Sequence, residues 1–247
     1  MRAHLFIPCL VEDCQPEIGE AVVSVLEHLG LRPELPRGQS CCGQLAYKTG
    51  DLNGARTLAL RYLEVFHAPG PVVCPSGSCV KMVRTYPALF APGTPEHARA
   101  LDLAGRTFEF CQFVAGELDR VDLGAQLATR ACYHGSCQVD RALGITQAPR
   151  DLLRAVRGLT LVEAARPDRC CGFGGVFSLQ FTGVSQALVE DKAEEILATG
   201  AEMLVSAEPS CLMNIGGHLA RRGSVLPTLH VAQVLALGLG KGSSAWM

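Results

Sequence analysis

Cys170-Cys171-Gly172-Phe173-Gly174-Gly175 decides the reading of this chain, because its opening triplet occurs twice; the earlier copy is Cys41-Cys42-Gly43. Each doublet has one cysteine well upstream and another well downstream. Cys9 lies 31 residues before Cys41, and 36 residues separate Cys42 from Cys79. Cys137 lies 32 residues before Cys170, and 39 separate Cys171 from Cys211. The copies are offset by 128, 129 and 132 positions, close to half of the 247 residues. Matched thiols at one period mark a duplicated unit.

Composition narrows the chemistry. With 48% hydrophobic residues the chain can bury a substantial core without staples. The formal net charge is −2 and there is no basic run, so nothing suggests a nucleic-acid partner. Apolar stretches reach only about ten residues, too few to span a bilayer. Leu5-Phe6-Ile7 is cut short by Pro8 and does not make a signal peptide, so the expected compartment is the cytoplasm. Twelve cysteines in a reducing compartment point to metal or cluster ligation rather than disulfides.

Working outward from the thiols, residues 4–8 read as a buried strand ending at Cys9. Pro16 then opens a helix with Ile18, Val22, Val25, Leu26 and Leu29 on one face, closed by Gly30. Residues 31–36 form a second strand before Cys41-Cys42. Asp51 opens a helix through Phe66, and residues 71–74 make a third strand that turns into Cys79. Strands at 130–134, 159–163 and 203–206, with helices at 150–156 and 185–199, repeat this order around Cys137, Cys170-Cys171 and Cys211. Residues 87–128 read as a connector with a helix at 107–119, and a terminal helix at 230–239 covers a sheet edge. The fold class is α/β: two pseudo-symmetric repeats, residues 1–127 and 128–247, each a small parallel sheet with flanking helices. The loops at the carboxyl ends of parallel strands converge on one rim, where ligands bind. All the repeated cysteines are therefore expected in such loops, each set within roughly 7 Å, on two rims that face a common cleft.

Cysteine is often a small inert hydrophobe. That reading suits Cys14, Cys74, Cys111 and Cys132, which have no twin. It does not suit Cys9, Cys41, Cys42, Cys79, Cys137, Cys170, Cys171 and Cys211, and these eight are the predicted metal or cluster ligands. Adjacent thiolates can bind neighbouring irons of one cluster, and the glycine that follows lets the backbone N–H reach sulfur. Four thiolates also fit tetrahedral zinc, although structural zinc sites favour a short Cys-x-x-Cys turn at each end that is lacking here. The preferred cofactor is an iron–sulfur cluster of the [4Fe–4S] kind, with zinc open in one repeat. Gly172-Phe173-Gly174-Gly175 fails the dinucleotide fingerprint because Phe177 stands where a glycine is needed. His134, three residues before Cys137, reads as a surface or hydrogen-bonded histidine, and His218 and His230 as structural. No hydrolytic constellation emerges, so the catalytic residues are not assigned.

These spacings resemble the cysteine-rich CCG domain family, found in heterodisulfide reductase and in the glycolate oxidase iron–sulfur subunit. Pro75-Ser76-Gly77-Ser78-Cys79, Tyr133-His134-Gly135-Ser136-Cys137 and Cys170-Cys171-Gly172-Phe173-Gly174-Gly175 resemble the motifs of its short, two-repeat lactate-utilisation branch. The resemblance implies an iron–sulfur electron-transfer subunit of a complex oxidising a 2-hydroxy acid, L-lactate to pyruvate, with partner subunits that include a ferredoxin-type iron–sulfur protein. The absence of a nicotinamide or flavin motif places hydride abstraction elsewhere or at the cluster. A cluster-based thiol or disulfide reductase subunit and a zinc-stabilised scaffold are the alternatives. One departure from the family stands out: its fuller motif ends in Cys-x-x-Cys, whereas Ser76 precedes Cys79 and Glu208 precedes Cys211 by three residues. Four thiolates per repeat remain, enough for an ordinary [4Fe–4S] cluster.

Overall fold

Val72-Val73-Cys74 and Met203-Leu204-Val205-Ser206 are buried at every position, as strands covered on both faces must be. In the computed structural model, which describes residues 2–243 and 246, each lies inside a four-stranded parallel sheet. The first sheet contains β1 (Arg2–Leu5), β2 (Arg32–Glu34), β3 (Val72–Cys74) and β4 (Thr107–Glu109), in the order β2-β1-β3-β4. The second contains β5 (Gln126–Tyr133), β6 (Arg157–Glu163), β7 (Met203–Ser206) and β8 (Thr228–His230), in the order β6-β5-β7-β8. The two orders are the same when counted within each repeat, and every pairing is parallel. Pro33, which has no N–H to give a ladder, sits in the edge strand β2.

Local sequence accounts for the helices that connect the strands. Pro16 stands at the first position of Pro16–His28, whose Ile18, Ala21, Val22, Val25 and Leu26 are buried at helical spacing. The helix ends at Gly30, in the left-handed region at φ 76°, with the Leu31 N–H bonded to the Leu26 carbonyl. Asp51 caps Leu52–Val65 by accepting the Gly54 N–H at 2.9 Å. Tyr62 from this helix meets Phe6, Phe66 and Tyr86 in one aromatic cluster.

The two repeats share a core. Val22, Val25 and Leu26 of the first pack with Val231, Val234 and Leu235 of the helix Val231–Gly238. That terminal helix lies against Pro16–His28 and packs on β5 and β7 as well as on the edge strand β8, so it covers more than the sheet edge the sequence suggested. His230 caps it, its Nδ1 accepting the Ala232 N–H while Gln233 Oε1 accepts the His230 N–H. No helix among the described residues is long and apolar enough to cross a membrane.

The connector differs from expectation. Pro95, within the stretch read as a connector, is the first residue of a twelve-residue helix, Pro95–Arg106, capped by Thr94. Residues 107–109 are then the edge strand β4 rather than the start of a helix, and only Phe110–Glu117 is helical, in part as a π turn. The junction is capped by Glu109, fully buried, whose Oε2 accepts the N–H groups of Cys111 and Gln112 at 2.8 and 3.1 Å. Its Oε1 has no partner.

Burial raises the Glu109 pKa from the ordinary 4.5 to about 8, against the opposing pull of those two amides. The folded chain therefore holds a proton that the unfolded chain releases above pH 4.5. This contribution to stability is complete below about pH 4.5 and falls as pH rises towards about 8, by at most ~1.4 kcal/mol per pH unit. Glu109→Gln, which keeps an acceptor for the two amides, should flatten that part of the profile. Denaturant unfolding at pH 5, 6.5 and 8 checks it; a variant with the wild-type slope would mean that Glu109 is ionised in the fold.

Candidate metal centre

Parallel strands deliver the thiols to one end of each sheet. Cys9 opens a short helix after β1, Cys41 and Cys42 occupy the loop after β2, and Cys79 is the third residue of Gly77–Val83 after β3. In the second repeat Cys137 opens a π-helical turn after β5, Cys170 and Cys171 lie in the loop after β6, and Cys211 is the third residue of Pro209–Arg221 after β7. Four of the eight thus sit on first helical turns rather than in loops, but at the strand ends the sequence indicated.

Within each set the sulfurs are neighbours. Cys41 lies beside Cys42 and Cys9, close enough for their thiols to influence one another, and Cys42 lies beside Cys79. Cys137 contacts Cys170, Cys170 contacts Cys171, and Cys171 donates to Cys211 at 3.0 Å. Exposure follows the same pattern in both sets. Cys42, Cys79, Cys171 and Cys211 are buried, whereas Cys9, Cys41, Cys137 and Cys170 are half-buried. All eight line a single cavity of about 140 Å³, so the two rims do face a common cleft.

The supporting backbone is matched as well. Gly43 and Gly172 adopt φ of 83° and 84° and donate their N–H groups to Cys41 and Cys170, at 3.5 and 3.3 Å. A Cβ on Gly172 would stand 2.5 Å from the Ser185 carbonyl, so both the turn and the close approach require glycine. The carbonyl of each doublet's second cysteine is also held. Tyr86 donates its hydroxyl to Cys42 O and Asn214 its amide to Cys171 O, both at 2.8 Å. Behind Cys137, Arg150 forks onto Glu163 at 2.8 and 3.0 Å, reaches Asp140 at 3.0 Å and lies over the Tyr133 ring.

Sequence reasoning passed over the contact that ties the repeats together. Glu208, 1% exposed, accepts hydrogen bonds from Ser76 Oγ (3.2 Å), Ser78 N (2.7 Å), Ser78 Oγ (3.1 Å) and Ser210 Oγ (2.9 Å). Ser76 and Glu208 are the two positions at which the sequence departs from Cys-x-x-Cys. They meet each other across the pseudo-symmetry axis, and that was the signal available in the sequence. Gly77 lies beside them, where a Cβ would come within 2.4 Å of Val139 of the other repeat.

His134 is neither at the surface nor hydrogen-bonded, contrary to the sequence reading. It is 2% exposed, and neither ring nitrogen has a partner. One of them lies with the Cys171 and Cys211 sulfurs in a group whose members are all within 4.8 Å of one another. Burial lowers its pKa to about 3, leaving a neutral imidazole. Among the thiols without twins, Cys74, Cys111 and Cys132 are buried as expected, but Cys14 is exposed.

The chemistry of the site is that of a cation trap. Contact with Cys42 and Cys9 and the Gly43 N–H hold Cys41 down to about 2, as a thiolate. Contact with Cys41 pushes Cys9 up, and contact with Cys41 and Cys79 pushes Cys42 up. Four neighbouring thiols cannot all ionise unless a cation neutralises them. Metal or cluster binding supplies that charge and releases the protons. Eight sulfurs in two quartets, with amide donors aimed at them, fit thiolate-held metal.

Two parallel α/β repeats that close a thiol-lined cavity between them define a duplicated cysteine-rich protein. The family described as cysteine-rich domain (CCG) matches residues 3–84 and 131–216, and the chain belongs to it. It is 44% identical over 237 residues to lactate utilization protein A of Exiguobacterium sp., covering 95% of this chain and 97% of that one. It is 41% identical over 236 residues to lactate utilization protein A 1 of Bacillus mycoides, covering 95% and 96%. A crystal structure of a hypothetical protein from Helicobacter pylori superposes with a TM-score of 0.66 at 11% identity. It covers 99% of this chain and 50% of that one, a likeness of fold alone.

Proposed function

We propose that this chain is an iron–sulfur, electron-carrying component of a lactate-utilisation system, acting with partner proteins in the oxidation of L-lactate. Cys9, Cys41, Cys42 and Cys79 would hold one centre and Cys137, Cys170, Cys171 and Cys211 the other, one per repeat with the division after residue 127. The observation that carries this reading is the opening of both quartets into one cavity. Two centres sharing a cavity of that size stand close enough for electrons to pass between them. The relatives' name supplies lactate as the substrate of the system. The family resemblance supplies a ferredoxin-type partner, and the cytoplasm is the compartment in which such thiols stay reduced. A bound cluster would supply one-electron chemistry. The chain's own residues contribute the sulfur ligands, the Gly43 and Gly172 N–H donors that tune them, and the largely apolar wall that limits water.

Protein purified without oxygen should be brown, absorb broadly near ~400 nm, contain acid-labile sulfide, and bleach on reduction. Stoichiometric zinc with no iron after anaerobic reconstitution would overturn the electron-carrying role and favour a zinc-stabilised scaffold.

A further inference from the structure

His134 stands where the first repeat has Phe6, each three residues before the first cysteine of its set. Their backbones are equivalent. The Phe6 N–H bonds to Val73 O at 3.0 Å and the His134 N–H to Val205 O at 2.8 Å, one residue along the matching strands. Their side chains are not. Phe6 packs edge-on against Tyr62 and Phe66. His134 puts two polar nitrogens into the interior with no hydrogen bond for either, beside the sulfurs of Cys171 and Cys211. A buried, unpartnered imidazole is destabilising as it stands. The position where the family motif would place a fifth thiolate is held by Glu208, which is bonded to Ser76 and Ser78 of the other repeat. The second quartet thus has a nitrogen donor beside it and no fifth sulfur, and the first quartet has only thiols.

We propose that His134 is a nitrogen donor to the metal held by Cys137, Cys170, Cys171 and Cys211, so that the two centres are chemically different, one all-sulfur and one mixed. This rests on the metal-binding reading above. Imidazole nitrogen is an established ligand of both iron and zinc.

The test uses this chain with Cys41→Ser and Cys42→Ser, which leaves the second quartet as the complete one, grown with 15N-histidine. Bound iron is read in its reduced state by pulsed electron paramagnetic resonance; zinc, where it is what binds, is first exchanged for cobalt(II). A 15N coupling from a directly bonded imidazole is expected. Adding His134→Phe, which copies the first repeat's residue, should abolish it and weaken metal retention against a chelator by at least ~10-fold. His134→Cys should restore retention without the coupling, which separates ligation from a packing defect. Bound metal with no 15N coupling, or a coupling that persists in His134→Phe, would overturn the assignment of His134 while leaving the thiol centres standing. Failure of both quartets in the wild-type chain to bind any metal would overturn both readings.

Discussion

Glu208→Ala should lower the melting temperature by about 6–12 °C and leave the two repeats less firmly joined. The carboxylate is buried and accepts from three serine hydroxyls and the Ser78 amide. Removing it leaves all four donors without their acceptor. The hydroxyls of Ser76 and Ser78 already lie 3.1 Å apart and can turn to each other. The Ser78 N–H has no such escape, because the helix Gly77–Val83 fixes its direction. An orphaned buried donor costs about 1–3 kcal/mol. With the hydroxyls partly re-paired, the sum is about 3 kcal/mol, or 2–4 °C per kcal/mol for a chain of this size. Glu208→Gln retains one acceptor oxygen and should lose roughly half as much. A melting temperature for Glu208→Ala within ~2 °C of wild type would show that the bridge adds nothing beyond the shared apolar core.

That bridge shows where sequence reading succeeds and where it stops. The strands β3 and β7 and the thiol positions were legible because apolar runs, glycine stops and matched spacing are local signals. Parallel topology then followed from alternation of strand and helix, and it accounts for cysteines 30 or more residues apart ending side by side. The helix Pro95–Arg106 escapes the sequence because proline carries opposite meanings, a breaker inside a helix and a favoured first residue at its start. Choosing between them needs Thr94 to be seen capping it. β4 is three residues long and is defined by its pairing with β3, which no local pattern encodes. The terminal helix is visible as a helix, but its place between the repeats depends on the apolar face of Pro16–His28, more than 200 positions away. His134 reads as hydrogen-bonded from sequence since polar groups usually are. Its motif position, three residues before a thiol, carries the other possibility. In the same way, Ser76 and Glu208 are visible as departures from a motif, while their meeting across the repeats is a fact of three dimensions.

The largest effect on composition should come from the second doublet. Cys171→Ser, purified anaerobically, should lose the metal of the second quartet and retain that of the first, a drop of about half in iron per chain if both carry equal clusters. Cys171 sits 3% exposed between Cys170 and Cys211. A serine hydroxyl there is shorter, harder and far less acidic than a thiol, so it offers soft metals a poor ligand. The first quartet draws all its sulfurs from residues 9–79 and should load independently. Cys111→Ser is the control. Cys111 is also buried, but against Glu109 in the shared core, and it does not line the cavity. Its replacement should alter stability by about 1 kcal/mol and leave iron unchanged. Iron and sulfide analysis of the two variants beside wild type decides the matter. Equal iron loss in both would mean that metal content follows general stability of the fold, and the division of the twelve cysteines into ligands and bystanders would fail. A complete loss of iron from Cys171→Ser alone would have a different meaning. The two quartets would then fill as one unit, which their opening into a single cavity permits.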